Sequence, residues 1–266
     1  MSDQPELYTH GHPESVLRSH RWRTAANSAA YLLPHLSSGT RLLDIGCGPG
    51  TITADFAPRV APGDVIGLDR AADVVAAAAT DHEAGNLTFV TGDVYRLEFA
   101  DDSFDVVHAH QVLQHLADPV RALAEMRRVC RSGGVVAVRD ADYEAMTWWP
   151  EIGGLTRWLD IYRTVARANG GEPDAGRRLP AWARAAGFDD VRVSSSTWCF
   201  SEPDDRAWWA TTWADRVERS PLGDRAIELG LATRDELEAC AAAWRAWAED
   251  PTACFVTLHV EVLATA

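Results

Sequence analysis

A ten-residue stretch, Leu42-Leu43-Asp44-Ile45-Gly46-Cys47-Gly48-Pro49-Gly50-Thr51, constrains the fold more than any other part of this chain. Arg41 to Ile45 reads as a short buried strand, and a glycine-rich turn follows at once. The glycines remove side chains where the strand passes into a helix, so a ligand can lie directly against backbone. The turn predicts a small molecule packed on a βα unit of a Rossmann-like sheet. Its spacing narrows the ligand. A dinucleotide fingerprint wants G-x-G-x-x-G, with the third glycine letting helix and strand pack closely. Here that position is Thr51, and the glycines fall instead at Gly46, Gly48 and Gly50.

The rest of the first half alternates strand and helix. A helix over 22–36 leads into the first strand, and another starts at Thr51. Strands are expected at Val65 to Asp69, Leu87 to Thr91 and Phe104 to Ala109. The alanine-rich stretch Ala71 to Ala84 is helical, and Pro119 to Arg131 has amphipathic spacing. Gly133-Gly134 turns the chain into a fifth strand, Val135 to Arg139. Such alternation marks a parallel sheet covered on both faces, with ligands beyond the carboxyl ends of its strands. Beyond residue 145 the pattern changes. Helices are expected over 151–170 and Leu179 to Ala186, then a strand from Val191 to Phe200. A Trp-rich helical stretch over 204–248 follows, its last helix opened by the Thr233–Glu236 capping box, and a closing strand runs from Phe255 to Leu263. The helical stretch reads as an insertion between two late strands.

Three further motifs follow strand ends. Asp69 ends the second strand, 23 residues beyond Gly46. There it reads either as a carboxylate accepting both ribose hydroxyls of a nucleoside or as a solvated acid capping the next helix. Thr91-Gly92-Asp93-Val94 follows the third strand. Asp101-Asp102-Ser103-Phe104-Asp105-Val106-Val107 leads to His110-Gln111-Val112-Leu113-Gln114-His115-Leu116, and Arg127-Arg128-Val129-Cys130-Arg131-Ser132-Gly133-Gly134 precedes the fifth strand.

The turn D-x-G-x-G-x-G resembles motif I of the class I S-adenosylmethionine-dependent methyltransferases. The later blocks resemble the F-D-x-V … V-L-x-H-L and R-V-L-K-P-G-G blocks of the ubiquinone/menaquinone biosynthesis-type members. Cys130 stands for the usual Leu and Ser132 for the usual Pro. The resemblance covers about residues 40–140 as four ordered motifs, which together are far more specific than any one of them. It implies an α/β fold: a Rossmann-like, mostly parallel, seven-stranded sheet with an antiparallel last strand, an N-terminal helical lid and a C-terminal helical insertion. The expected division is 1–36 as lid, 37–145 as cofactor-binding core, and 146–266 as cap plus the last two strands. The implied cofactor is S-adenosylmethionine, with S-adenosylhomocysteine as product. The implied reaction is in-line methyl transfer to a small-molecule oxygen, nitrogen or carbon nucleophile.

The resemblance also implies site residues. Asp44, Gly46, Cys47, Gly48, Gly50 and Thr51 form the cofactor turn. Asp69 meets the ribose hydroxyls, Asp93 and Val94 meet the adenine, and Arg70 and Gly92 beside them are further cofactor-binding candidates. His110 and Gln111 lie over the expected sulfonium, and His115 is a further cofactor-binding candidate. His110 is a candidate general base, because an unperturbed imidazole titrates near neutral pH. His115 also reads as a structural residue of the following helix. An N-terminal segment that folds over the cofactor would use Tyr8 near the methyl group and Arg21 or Arg23 on the methionine carboxylate, since the guanidinium fork suits a carboxylate. A frayed, charged terminus is the other reading of that segment. Asp140, Asp142 and Tyr143 follow the fifth strand. Asp140 is a candidate acceptor contact and Tyr143 a candidate catalytic group; polar residues at a cleft rim would look the same. Trp148 and Trp149 are expected at the cleft mouth as aromatic substrate walls, while Trp209 and Trp213, four apart, read as insertion core.

Composition excludes several alternatives. All 25 basic residues are Arg, so lysine Schiff-base chemistry is out. A formal net charge of −14 disfavours a nucleic-acid partner. The five cysteines are scattered without a C-x-x-C pair, which suits reduced thiols better than a disulfide frame or a metal site; no metal is expected. No membrane span and no signal-peptide run is visible, and a cytoplasmic location follows as the default. A small, apolar or aromatic acceptor is expected. The oligomeric state stays open, a homodimer included. A nicotinamide oxidoreductase, a cofactor-binding protein that transfers no methyl group and an arsenite methyltransferase are the rival readings.

Overall fold

The computed structural model of the chain describes residues 22–266. Its strands are β1 (Leu42–Ile45), β2 (Val65–Asp69), β3 (Leu87–Thr91), β4 (Phe104–His110), β5 (Cys130–Ala141), β6 (Thr147–Trp149), β7 (Val191–Phe200) and β8 (Cys254–Thr265). They form one eight-stranded sheet ordered β3-β2-β1-β4-β5-β8, with β7 on the far side of β8 and β6 extending the β5 side. β1 to β5 pair in parallel, and β8 runs antiparallel to β5 and to β7. The expected Rossmann-like sheet with an antiparallel last strand is therefore present. Its one addition is β6, which exists because β8 is 12 residues long and outruns its ladder with β5.

The helices are α1 (Ala25–Ser28), α2 (Thr51–Val60), α3 (Ala72–Asp81), α4 (Pro119–Val129), α5 (Gly153–Ala168), α6 (Leu179–Ala185), α7 (Pro203–Arg219), α8 (Pro221–Glu228) and α9 (Arg234–Glu249). One sheet face packs Leu42 and Val106 against Ala25, Leu32, Phe56 and Val60. The opposite face packs Leu43, Val107 and Val136 against Leu123, Met126 and Val129 of α4 and Leu179 and Ala183 of α6. A third core lies in the cap of α5, α7, α8 and α9, where the rings of Trp158, Trp213, Trp244 and Trp247 are fully buried. Each such ring removes roughly 150–250 Å² from water, so the cap carries a core of its own. The Thr233–Glu236 capping box forms at the start of α9.

Two local expectations change. The continuous helix over 22–36 breaks into α1 and a 3-10 turn at Leu33–His35. A capping box between Thr24 and Asn27 opens α1, the backbone leaves helical angles at Ala29, and Pro34 has no N–H for a longer helix. Gly133-Gly134 lies inside β5 rather than before it. The ladder with β4 skips from Cys130 to Val135, so Arg131 to Gly134 bulge out of register, and Gly133 takes φ +72°. Among the described residues, no helix is long and apolar enough to cross a membrane.

Candidate active site

In this strand order the sheet reverses direction of growth between β1 and β4, and the crevice there is where an open α/β sheet takes its ligand. A cavity of about 850 Å³ occupies it. One wall is built by the residues after β1, β2 and β3. The other is built by residues after β4 and β5 and by β7 and α7.

The first wall follows from the glycine turn. Gly46 and Gly48 have φ +66° and +54°, angles that L side chains rarely adopt. A Cβ on Gly46 would stand 2.4 Å from Val112 Cγ2, so the loop after β4 seats directly on bare backbone. Cys47 and Thr51 join them in the cavity lining. Burial and the carboxylates of Asp44 and Asp69 push the Cys47 thiol far up, which makes it a neutral wall and not a nucleophile. Asp44 is 3% exposed; its Oδ1 accepts from His108 Nδ1 at 2.7 Å and its Oδ2 from the Thr53 hydroxyl. The strand-end acid Asp69 accepts from the Gly48 N–H at 3.1 Å and the Ala71 N–H at 3.0 Å, pinning the turn to the start of α3. Arg70, Gly92, Asp93 and Val94 complete this wall, with Asp93 Oδ1 accepting from the Tyr95 N–H at 2.9 Å.

The second wall is more aromatic. His110, Gln111 and His115 line it, together with Trp22, Tyr143, Trp198, Trp208, Trp209 and Trp213. Gln111 takes φ +54° at the end of β4. Its Oε1 accepts from Arg23 Nη2 at 2.7 Å and its Nε2 donates to His259 Nε2 at 2.8 Å. Arg23 also lies over the Trp198 ring at 5.6 Å. Arg216 of α7 is 4% exposed, and its guanidinium lies 4.8 Å over the Trp213 ring. Burial first, then the charges of Arg23 and Arg216, hold the His115 imidazole down to about 3. Burial and Arg139 hold His110 well below its ordinary range, so both rings are neutral. Arg139 Nη1 faces His110 Nδ1 at 3.5 Å. An arginine nitrogen can only donate, so Nδ1 presents its lone pair and Nε2 carries the hydrogen. Burial raises the Tyr143 phenol, whose ring stacks on Tyr162 at 4.3 Å.

Several expected residues stand elsewhere. Gly50 does not line the cavity. It is the left-handed N-cap of α2, where a Cβ would meet the Phe89 ring at 2.7 Å, so its role is helix–sheet packing. Trp148 and Trp149 do not line it either. Pairing of β6 with β8 stacks Trp148 on Phe255 at 5.7 Å and leaves Trp149 59% exposed, its carbonyl accepting from Trp247 Nε1. Asp140 is wholly buried behind the wall, accepting from the Gln114 N–H at 3.2 Å. Tyr8 and Arg21 lie outside the described residues. Trp209 and Trp213 are buried as insertion core should be, yet they also face the cavity. Arg216 was not singled out from sequence. Its signal was available: it stands three residues after Trp213, on the face that Trp209 and Trp213 share.

Burial pushes the Asp140 carboxyl up to about 8. Folded Asp140 therefore keeps its proton to about pH 8, whereas in the unfolded chain it loses it near 4. Between those values the folded state binds more protons. This contribution is complete at low pH and is lost as pH rises through the folded pKa. Asp140→Asn is expected to gain on the wild type by up to about 1.4 kcal/mol per pH unit over that window. Urea midpoints of both proteins at pH 5 and pH 8 check this; parallel pH profiles would refute it.

The comparisons agree with this architecture. A family model described as a methyltransferase domain matches residues 43–138. An uncharacterised methyltransferase of Schizosaccharomyces pombe is 35% identical over 261 residues, covering 93% of this chain and 92% of the relative. A demethylmenaquinone methyltransferase of Roseiflexus castenholzii is 34% identical over 216 residues, covering 79% of this chain and 82% of the relative. The crystal structure of the YcgJ protein of Bacillus subtilis superposes with a TM-score of 0.58 at 18% identity, over 89% of this chain and 97% of that one, a likeness of fold. The turn at Gly46 and Gly48 lines the cavity, with a strand-end carboxylate bonded to its backbone. The chain belongs to the class I S-adenosylmethionine-dependent methyltransferases and is similar to the ubiquinone/menaquinone biosynthesis-type members.

Proposed function

We propose that this methyltransferase acts on a small, flat, largely apolar molecule bearing an acidic group, a phenol, enol or carboxylic acid, which it methylates as the anion. The observation that carries this reading is Arg216, a buried positive charge stacked on Trp213 among the aromatic rings of the second wall. Among the tryptophan rings the charged groups are Arg23 and Arg216, whereas Asp44, Asp69, Arg70 and Asp93 line the cavity after β1 to β3 and Asp118 and Arg121 line it beside Tyr95. That polarity stands out in a chain with a formal charge of −14. It favours an anion on the aromatic side and opposes an amine.

S-adenosylmethionine, when bound, supplies a methyl group on a positively charged sulfur, open to in-line displacement. The chain's task is to hold and orient. In this reading Asp69 takes the ribose hydroxyls, Asp93 and Val94 the adenine, and Arg23, steadied by Gln111, the methionine carboxylate. The field of Arg216 lowers the acceptor's pKa, so the anion forms without a general base. His110 then serves as a neutral wall that offers its Nε2 hydrogen, not as the base. Tyr143, kept protonated by burial, offers its phenol hydrogen to the acceptor side. The Trp198, Trp208, Trp209 and Trp213 rings exclude water and strengthen each of these contacts.

The test is a panel of phenols, enols and carboxylic acids beside primary and secondary amines, followed by transfer of labelled methyl. Acidic acceptors are expected to turn over. Arg216→Gln is expected to cut their kcat/KM at least about 10-fold while S-adenosylhomocysteine affinity stays within about 2-fold. Turnover of amines alone, or an unchanged kcat/KM in the variant, would reject the acidic acceptor.

A further inference from the structure

The cap of α7, α8 and α9 leaves the sheet after β7 and returns to it at β8. The last rung of that ladder pairs Phe200 with Phe255, and the rung before it pairs Cys199 with Val256. Side chains alternate along a strand, so Cys254, two residues before Val256, lies on the same sheet face as Cys199 and diagonally across from it. Their sulfurs are 3.6 Å apart. In sequence the two are 55 residues apart, and the whole helical stretch lies between them. Cys199 is exposed and Cys254 half-buried, whereas Cys47, Cys130 and Cys240 are buried.

We propose that Cys199 and Cys254 form a reversible disulfide that clasps the two feet of the cap, made by exchange with a low-molecular-weight disulfide such as oxidised glutathione. The exposed Cys199 thiolate attacks one sulfur of the small disulfide and expels one small thiolate. The Cys254 thiolate then attacks the Cys199 sulfur and expels the second. One S–S bond breaks and one forms. The protein thiols give up two electrons, and their two protons leave on two molecules of small thiol. Cys199 is the penultimate residue of β7 and Cys254 the first of β8, beyond the last β7–β8 rung and still paired with Trp149 of β6, so side-chain rotation must supply the roughly 1.5 Å that a bonded sulfur pair requires. The bond closes a long loop, so it restricts the unfolded chain strongly. It also ties down the segment that carries Trp208, Trp209, Trp213 and Arg216 of the cavity wall.

Full-length protein is incubated with excess oxidised glutathione, denatured and alkylated. The expected result is loss of two of the five reactive thiols and a peptide pair joined through Cys199 and Cys254 in a non-reducing digest. The thermal midpoint is expected to rise by roughly 5–10 °C and to fall back with dithiothreitol. Amide exchange in residues 203–249 slows, and that in β1 to β4 does not. Cys254→Ser is expected to stop at one glutathione adduct on Cys199, and Cys199→Ser to form no link; neither gains in midpoint. Retention of all five thiols, a link through Cys47, Cys130 or Cys240, or a stable glutathione adduct in the wild type overturns the proposal.

Discussion

Asp69→Ala is expected to weaken binding of S-adenosylhomocysteine by about 100- to 1000-fold, or about 3–4 kcal/mol. Each carboxylate oxygen already accepts one backbone N–H, from Gly48 and from Ala71, and each keeps a lone pair for a ribose hydroxyl. Hydrogen bonds to a charged group contribute about 1.5–3 kcal/mol apiece, and two are lost together. Alanine also releases the turn from α3, so the effect has a geometric part. Asp69→Asn separates the two, because the amide oxygen still accepts one backbone N–H while the charge is gone; an intermediate loss is expected. Calorimetric titration with S-adenosylhomocysteine, beside NAD as a control, reads both variants. Unchanged affinity in Asp69→Ala would remove this residue from the nucleoside site.

The largest expected loss of stability comes from Arg139→Leu. Arg139 is 1% exposed in β5, and its Nε lies 3.3 Å from Glu261 Oε1 of β8, itself 5% exposed. Ser196 of β7 accepts from Arg139 at 3.2 and 3.1 Å and donates to Glu261, and Ser194 donates to the other carboxylate oxygen at 2.7 Å. The Arg139 guanidinium also lies 5.0 Å over the Trp198 ring. Taking away the arginine leaves a buried carboxylate without its counter-charge, which costs about 3–5 kcal/mol. The double variant Arg139→Leu/Glu261→Leu is expected to recover most of that loss, because replacing a whole buried pair by apolar groups is close to neutral. Urea unfolding of both variants and of the wild type measures it. A double variant as unstable as the single one would show that the pair itself, and not the orphaned charge, stabilises the sheet.

What was legible in the sequence was whatever is encoded locally. The glycine turn after β1, the acid at the end of β2 and the Thr233 capping box each depend on residues a few positions apart, and each stands at the place in the fold that was expected. The parallel pairing of β1 to β5 also followed from strand–helix alternation. What escaped depends on contacts between distant segments. Gly50 looks like a ligand glycine until β3 places Phe89 against it. Trp148 and Trp149 follow the fifth strand, but β6 pairs with a strand a hundred residues later and turns both rings away from the cleft. Arg216 reaches the cavity only because α7 folds back over the sheet. Five scattered cysteines gave no hint that the β7–β8 register sets two of them side by side.

Three of the cap's four helices, α7 to α9, depart and return across a single rung, Phe200 opposite Phe255. A segment whose two ends are neighbours in a ladder can be lengthened, shortened or exchanged without shifting the strands that hold it. The donor turn lies on β1 and β2, remote in sequence from that junction. Residues 201–254, which bring Trp208, Trp209, Trp213 and Arg216 to the cavity wall, can therefore be rewritten while β1 and β2 are inherited intact. The junction is a natural splice point, provided that α5, whose Trp158 packs on Trp213 and Trp244, is exchanged with it.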